Sequence, residues 1–384
     1  MESKINSKEE VLDKRIVAAR EATGFSITEA AQKLGFKNYQ TLSAIEKGAR
    51  KINAHELVMI ARLYGRSLDY FLETDIAPDP VPLWRKTTKT DVNQVQRQFL
   101  SFLENYSNLE HLLGLKRRWK DIQKNYDRDD FSDNGFERAD KLGDDIHNFL
   151  DLGSRPSSNL LNVLENKLRF KILHLPLGDG VSGASVVDNT LGVGILINAN
   201  DAPWRRNFDL AHELFHVISW NVFSPEEIGN GTIKTRPEKY ADIFASSLLL
   251  PEAHLLDALK ETATDNEVRF IDIVELAKDF GVSTEAILWR LVNLEILKKS
   301  RVQKILDNQK FHNLDRSMRR KLYKGDRPSK FPSRFISLAC RCLMEGKISR
   351  GTFAEYLEID RAEIDDYLDE VGFAEGNYAK IATA

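Results

Sequence analysis

Apolar residues recur every third or fourth position along most of the chain, and they alternate with polar ones only between residues 169 and 198. The first spacing marks amphipathic helices, the second half-buried strands. The pattern therefore predicts a mainly α protein with a small β-sheet in its central domain, an α+β chain. Helices are expected from roughly Val11 to Thr23, from Ser26 to Gly35 and from Gln40 to Gly48. Ser26 is a cap, and both glycines are stops. Ala30, Leu34, Leu42 and Ile45 fall on the inward faces, so two helices joined by a tight turn read as a helix-turn-helix inside a five-helix domain.

Pro78, Pro80 and Pro82 then end that domain as a semi-rigid spacer. Val92, Val95, Phe99, Phe102, Leu103 and Leu109 carry an amphipathic helix from Asp91 to Leu115. The charged segment Lys116 to Asp140 reads as its helical continuation, broken at Phe131 to Gly135, either a solvated face or a docking one. Helices follow at Ala139–Leu152 and Asn159–Leu168. Strands are expected at Arg169–Leu175, Val181–Val187 and Gly192–Asn198. A strand bordering a cleft can bind an extended peptide along its edge. Two further helix-turn-helix patterns lie at Ile271–Leu291 and at Ile348–Ile364, the second too acidic for a DNA groove.

The division that results is 1–75, 76–158 (linker and helical neck), 159–297 and 298–384. Composition changes this picture little: 384 residues, 42% hydrophobic and 29% charged, are ordinary for a globular chain. No apolar run approaches the roughly 18 residues of a membrane span, and the polar start is no signal peptide. Only Cys340 and Cys342 occur, which suits a reducing cytoplasm. The net charge of −3 is unevenly spread: from Lys298 to Arg334 thirteen Lys or Arg stand against Asp307, Asp315 and Asp326. That stretch reads equally as a phosphate or acidic-partner contact and as a solvated linker.

The chemistry concentrates in Asn207-Phe-Asp-Leu-Ala-His-Glu-Leu-Phe-His-Val-Ile. On a helix His212 and His216 share one face and can bind one Zn²⁺, while Glu213 stands beside it, able to take a proton from water. H-E-x-x-H is short, so a third ligand is required. Downstream, Pro237 opens another helix on which Glu238 and Asp242 share a face. Glu238 can complete a His₂Glu set, and Asp242 can hold a ligand imidazole from behind. The bland alternatives are an acidic helix start for the carboxylates and satisfied core residues for the histidines. His174 and His254 read as structural or exposed, and Tyr240 falls on another helix face.

The strings NFDLAHELFHVI and EKYADIFASSLLLP resemble the two signature helices of the ImmA/IrrE metallopeptidase family. The resemblance implies a gluzincin-like protease with zinc on His212, His216 and Glu238, and Glu213 as general base. It also implies relief of repression, often by cutting a helix-turn-helix repressor. Four positions depart from the family pattern: Asn207 for Arg, Asp209 for Thr, Phe215 for Gly and Leu250 for Met. Of these, Phe215 raises the prospect of a ring narrowing the cleft.

The first domain resembles the Xre/Cro type, with the Phe36–Tyr39 loop one residue longer than usual. That resemblance implies contacts to double-stranded DNA. Asn38, Gln40, Thr41 and Ala44 are candidates for base edges, and Lys37, Lys47, Arg50 and Lys51 for phosphates. A homodimer is expected, since one such unit buries little DNA surface. The leading expectation is a cytoplasmic transcriptional regulator with zinc endopeptidase activity. The alternatives are a DNA-binding regulator whose zinc domain senses without cutting, and an interaction protein of the immunity or toxin–antitoxin kind.

Overall fold

The computed structural model describes residues 12–21, 25–64, 66, 68–72, 82–86, 92–115, 122, 126–131, 134–178, 180–228, 235–262, 268–322 and 327–373. The chain divides into two compact units that are not sequential. One takes 1–82, 91–115 and 335–384, the other 83–90 and 116–334.

The first unit opens with α1 (residues 12–21), α2 (Ile27–Lys33) and α3 (Tyr39–Glu46), then α4 (Ala54–Tyr64) and α5 (Leu68–Leu72). Ser26 and Glu29 close a reciprocal capping box at the start of α2. Asn38 caps α3, its Oδ1 accepting from the Thr41 N–H at 3.1 Å. The turn is therefore one residue shorter than the sequence reading: Tyr39 is already helical. Ile16, Ala30, Leu34, Leu42, Ile45, Ile60 and Phe71 form the core of this five-helix cluster. Most of the proline spacer lies outside the described residues. In α6 (Asn93–Leu112), Glu104 receives the buried Arg66 guanidinium at 2.8 Å, which ties this helix to the end of the cluster.

The second unit begins with a strand the periodicity did not predict, β1 (Leu83–Lys86). Residues 116–121 and 123–125 lie outside the described set. Where a helix was expected to run up to a break at Phe131, residues 126–131 are instead a bend and one 3₁₀ step, set by Asp127 Oδ1 accepting from the N–H groups of Asp129 and Asp130. The helices α7 (Gly135–Leu150) and α8 (Pro156–Asn166) both start earlier than expected, α8 because Pro156 suits a first turn. Three strands follow: β2 (Lys171–Leu175), β3 (Val181–Asp188) and β4 (Gly192–Asn198). The sheet order is β1-β3-β4-β2, with β2 parallel to β4 and the other pairs antiparallel.

Across that sheet lies α9 (Pro203–Ile218), followed by α10 (Pro225–Ile228) and α11 (Arg236–Leu249). α7, read from the sequence as neck, packs along α11 and gives Ala139, Leu142, Ile146 and Leu150 to the central core. Gly143 makes this approach possible: a Cβ there would stand 2.8 Å from the Phe244 carbonyl oxygen. The unit continues with α12 (Glu252–Thr262), α13 (Phe270–Asp279), α14 (Thr284–Asn293), α15 (Lys299–Leu306) and α16 (Gln309–Leu322). The basic stretch is thus largely helical and docks on the same core through Val302 and Phe311.

The chain then completes the first unit with α17 (Ser333–Met344), α18 (Arg350–Leu357) and α19 (Ile364–Glu370). Phe335 packs at 5.1 Å, centroid to centroid, from both Phe102 and Tyr106 of α6.

Candidate metal centre

In α9 the apolar Leu210, Ala211, Leu214, Val217 and Ile218 join the core, and this burial fixes which way the two histidines point. α11 crosses alongside, with Pro237 in its first turn and Glu238 one residue on. The result brings together three donors from two helices. His212 Nε2 and His216 Nε2 are 3.2 Å apart, and the two Glu238 oxygens lie 3.3 and 3.2 Å from them respectively. A tetrahedral zinc site with bonds near 2.0–2.1 Å has ligand–ligand edges of about 3.3–3.4 Å. The triangle of donors therefore has the size of one face of such a site. Among the described residues this is the cluster able to hold a cation through three side chains.

Burial raises the Glu238 carboxyl, but its bonds to His212 and His216 outweigh that and hold it well below the usual carboxylate range. Asp242, one turn along α11, places Oδ1 3.1 Å from His212 Nδ1. With Nε2 turned to the other donors, a proton on Nδ1 would be donated to Asp242. His216 Nδ1 is buried with no hydrogen-bond partner among the described residues. Asp242 also lines a cleft of about 700 Å³, with Trp204, Phe208, Trp289 and Arg319.

Glu213 is next to His212 in the chain and only 1% exposed. Gly183 of β3 lies close by: a Cβ there would make ordinary contact with Glu213 Oε1 at 3.6 Å and would collide with the Leu196 carbonyl oxygen at 2.6 Å. The sequence reading passed over this glycine, although a glycine inside an alternating strand signals close approach. His212, His216 and Glu238 are 0, 3 and 8% exposed, so the whole group is enclosed.

Phe215 does not narrow the cleft. Its ring is fully buried, edge-on to Phe131 at 5.9 Å and to the His216 imidazole at 5.8 Å, and stacked with Phe223 at 6.3 Å. Asn207 is a tether, donating to the Gly281 carbonyl at 2.9 Å. Tyr240 is buried and donates to the Phe131 carbonyl. β3 is not an open edge either, because β1 pairs along it.

In the helix-turn-helix, Lys37, Asn38, Gln40 and Lys47 are exposed, and Thr41 and Ala44 partly so. The Thr41 hydroxyl turns back to Asn38 Oδ1 at 3.1 Å, so both polar groups serve the cap. Arg50 is held by Glu56 at 2.8 Å. Tyr39, which the sequence reading left in the loop, is 47% exposed at the first position of α3. A large exposed ring at that position is the signal that was overlooked.

No helix among the described residues is long and apolar enough to cross a membrane. No curated protein matches the chain. Residues 166–292 match the family model of the IrrE N-terminal-like peptidase domain, a span that contains β2 to β4, α9 and α11, and residues 16–71 match a helix-turn-helix model. By these two matches the chain is a fusion of an N-terminal helix-turn-helix DNA-binding domain with an IrrE N-terminal-like domain of the metallopeptidase type.

Proposed function

We propose that this chain is a transcriptional regulator whose central domain is a zinc-dependent endopeptidase, and that it switches gene expression by cutting a regulatory protein such as a helix-turn-helix repressor. The observation that carries the reading is the convergence of the His212, His216 and Glu238 donors, with the buried Glu213 next to His212 on the same helix. A sensor that never turned over would have no use for that carboxylate.

His212, His216 and Glu238 hold the ion, and Asp242 fixes the His212 ring. The zinc, when bound, supplies Lewis acidity toward water and toward the scissile carbonyl. Glu213 accepts a proton from the attacking water and delivers it to the departing amine. The enclosure of these groups keeps competing water out and strengthens the charge interactions there. Lys37, Asn38, Gln40, Thr41, Ala44 and Lys47 remain the proposed DNA-facing set, acting as a homodimer on double-stranded DNA. The buried thiols of Cys340 and Cys342 fit a cytoplasmic setting.

The same enclosure favours a second reading, in which the zinc domain senses a ligand or partner without proteolysis. Metal analysis of the purified chain, with capture of helix-turn-helix proteins shortened only by active enzyme, separates the two. Glu213→Gln should retain zinc and abolish the shortening. Normal regulation in cells by that variant would establish the sensor instead.

A further inference from the structure

The strand that passes Glu213 is already paired on its outer side. Leu83, Trp84 and Arg85 of β1 lie opposite Ser185, Ala184 and Gly183 of β3, antiparallel. Gly183 is the residue of β3 whose Cβ, if present, would touch Glu213 Oε1 at 3.6 Å, so the chain's own backbone runs beside β3 close to the proposed general base. A polypeptide to be hydrolysed there must lie extended past the same carboxylate, and the natural way is to add a strand to β3. That place is taken. The enclosure agrees: Glu213, His212 and His216 are each at most 3% exposed.

The occupant is also lightly held. β1 has four residues, its register slips between Arg85 and Lys86, and Leu83 and Trp84 are only half-buried, Leu83 against the core. Short, irregular edge pairings of this kind are readily exchanged for another strand.

We propose that residues 83–86 are a built-in occupant of the peptide-binding edge, and that an extended polypeptide pairs antiparallel with β3 only after β1 has left it. This rests on the peptidase reading for its purpose, though not for its geometry. The interaction surface is the outer side of Val181–Ser185, and its partner is an unfolded or extended segment of protein, recognised largely through its backbone.

The test uses the full zinc-loaded chain carrying Glu213→Gln, with fluorescein-labelled, carboxymethylated α-lactalbumin as an unfolded probe read by anisotropy. Two further changes are compared with it: Trp84→Pro, which breaks the ladder, and the pair Trp84→Cys with Ala184→Cys, which can cross-link directly opposed positions. If β1 leaves the edge in a tenth of molecules or fewer, Trp84→Pro binds the probe about tenfold more tightly or better. The oxidised cysteine pair binds less than the parent and regains its affinity on reduction. Equal affinity across the set, including none in any, overturns the proposal. Should Trp84→Pro lose its zinc through misfolding, the oxidised and reduced forms of the cysteine pair decide alone. Cleavage is then measured with Glu213 restored: differential binding with no cleavage in any chain removes the peptidase reading and leaves strand exchange standing.

Discussion

Asp242 Oδ1 lies 3.1 Å from His212 Nδ1, while the equivalent nitrogen of His216 has no hydrogen-bond partner among the described residues. The two imidazoles are therefore held unequally, His212 from behind and His216 by packing. Removing the carboxylate with Asp242→Ala should weaken zinc binding by about 10- to 100-fold, as losses of such supporting bonds do. Competition with a chromogenic chelator measures it. Unchanged affinity would mean that the core alone orients His212.

Phe215 yields a prediction opposite to the one its position in the motif invites. Its ring fills an aromatic cluster with Phe131, Phe223 and Phe244. Phe215→Ala should cost about 3–5 kcal/mol of stability in urea unfolding. Zinc affinity of the folded fraction should fall too, because the same ring stands edge-on to the His216 imidazole at 5.8 Å. A tighter or faster site with no loss of stability would put the ring back in the cleft.

These two residues show what could be read from the chain alone. Histidines four apart on a helix must share a face, and a glutamate after a first-turn proline must stand near the helix start, so the metal cluster was legible. The side taken by Phe215 was not legible, because it stands three residues after His212 and one before His216, and that spacing alone leaves its ring near the imidazoles. β1 was not legible. Leu83-Trp84-Arg85-Lys86 is too short to show alternation, and the strand exists through its pairing with β3, about a hundred residues further on. The pairing of α6 with α17 was hidden for the same reason: an apolar face announces that it will be covered, never by what.

Gly183→Ala tests the close approach of β3 to the Leu196 carbonyl. The added methyl would meet the Leu196 carbonyl oxygen at 2.6 Å, and a backbone atom in mid-sheet cannot easily yield. Overpacking of this kind costs about 1–3 kcal/mol. Thermal unfolding should show that loss with zinc content unchanged. Wild-type stability would count against the close approach of β3 to the Leu196 carbonyl.

Two buried groups of the peptidase unit give opposing pH dependences. Burial pushes the Glu165 carboxyl up to about 7, with Arg334 opposing, so its folded form holds a proton that the unfolded chain releases near 4.5. Its contribution is full below pH 4.5 and is lost as pH rises through 7. Burial, aided by Arg206, pushes His174 down to about 4 from its usual 6.5. It costs nothing above pH 6.5 and destabilises increasingly as pH falls toward 4. Each effect amounts to roughly 3 kcal/mol over its window. Relative to the parent chain, Glu165→Gln should gain stability as pH rises from 4.5 to 7, and His174→Gln as it falls from 6.5 to 4. Denaturant titrations at pH 4.5, 6 and 7.5 distinguish these slopes. Parallel curves for parent and variants would show both groups to be solvated.

The Sγ of Cys342 reaches the carbonyl of Leu109 across 233 residues of chain, and Phe335 closes over Phe102 and Tyr106 nearby. A ribosome adding 5–20 residues per second leaves the apolar side of α6 waiting roughly ten to fifty seconds for its cover. Residues 116–334 of the second unit emerge during that interval, and β1 of the same unit is already waiting ahead of α6. A message truncated before residue 335 would therefore release the second unit whole, together with an α6 that lacks its cover. Holding companions such as chaperones would be drawn to that bare helix face in the window.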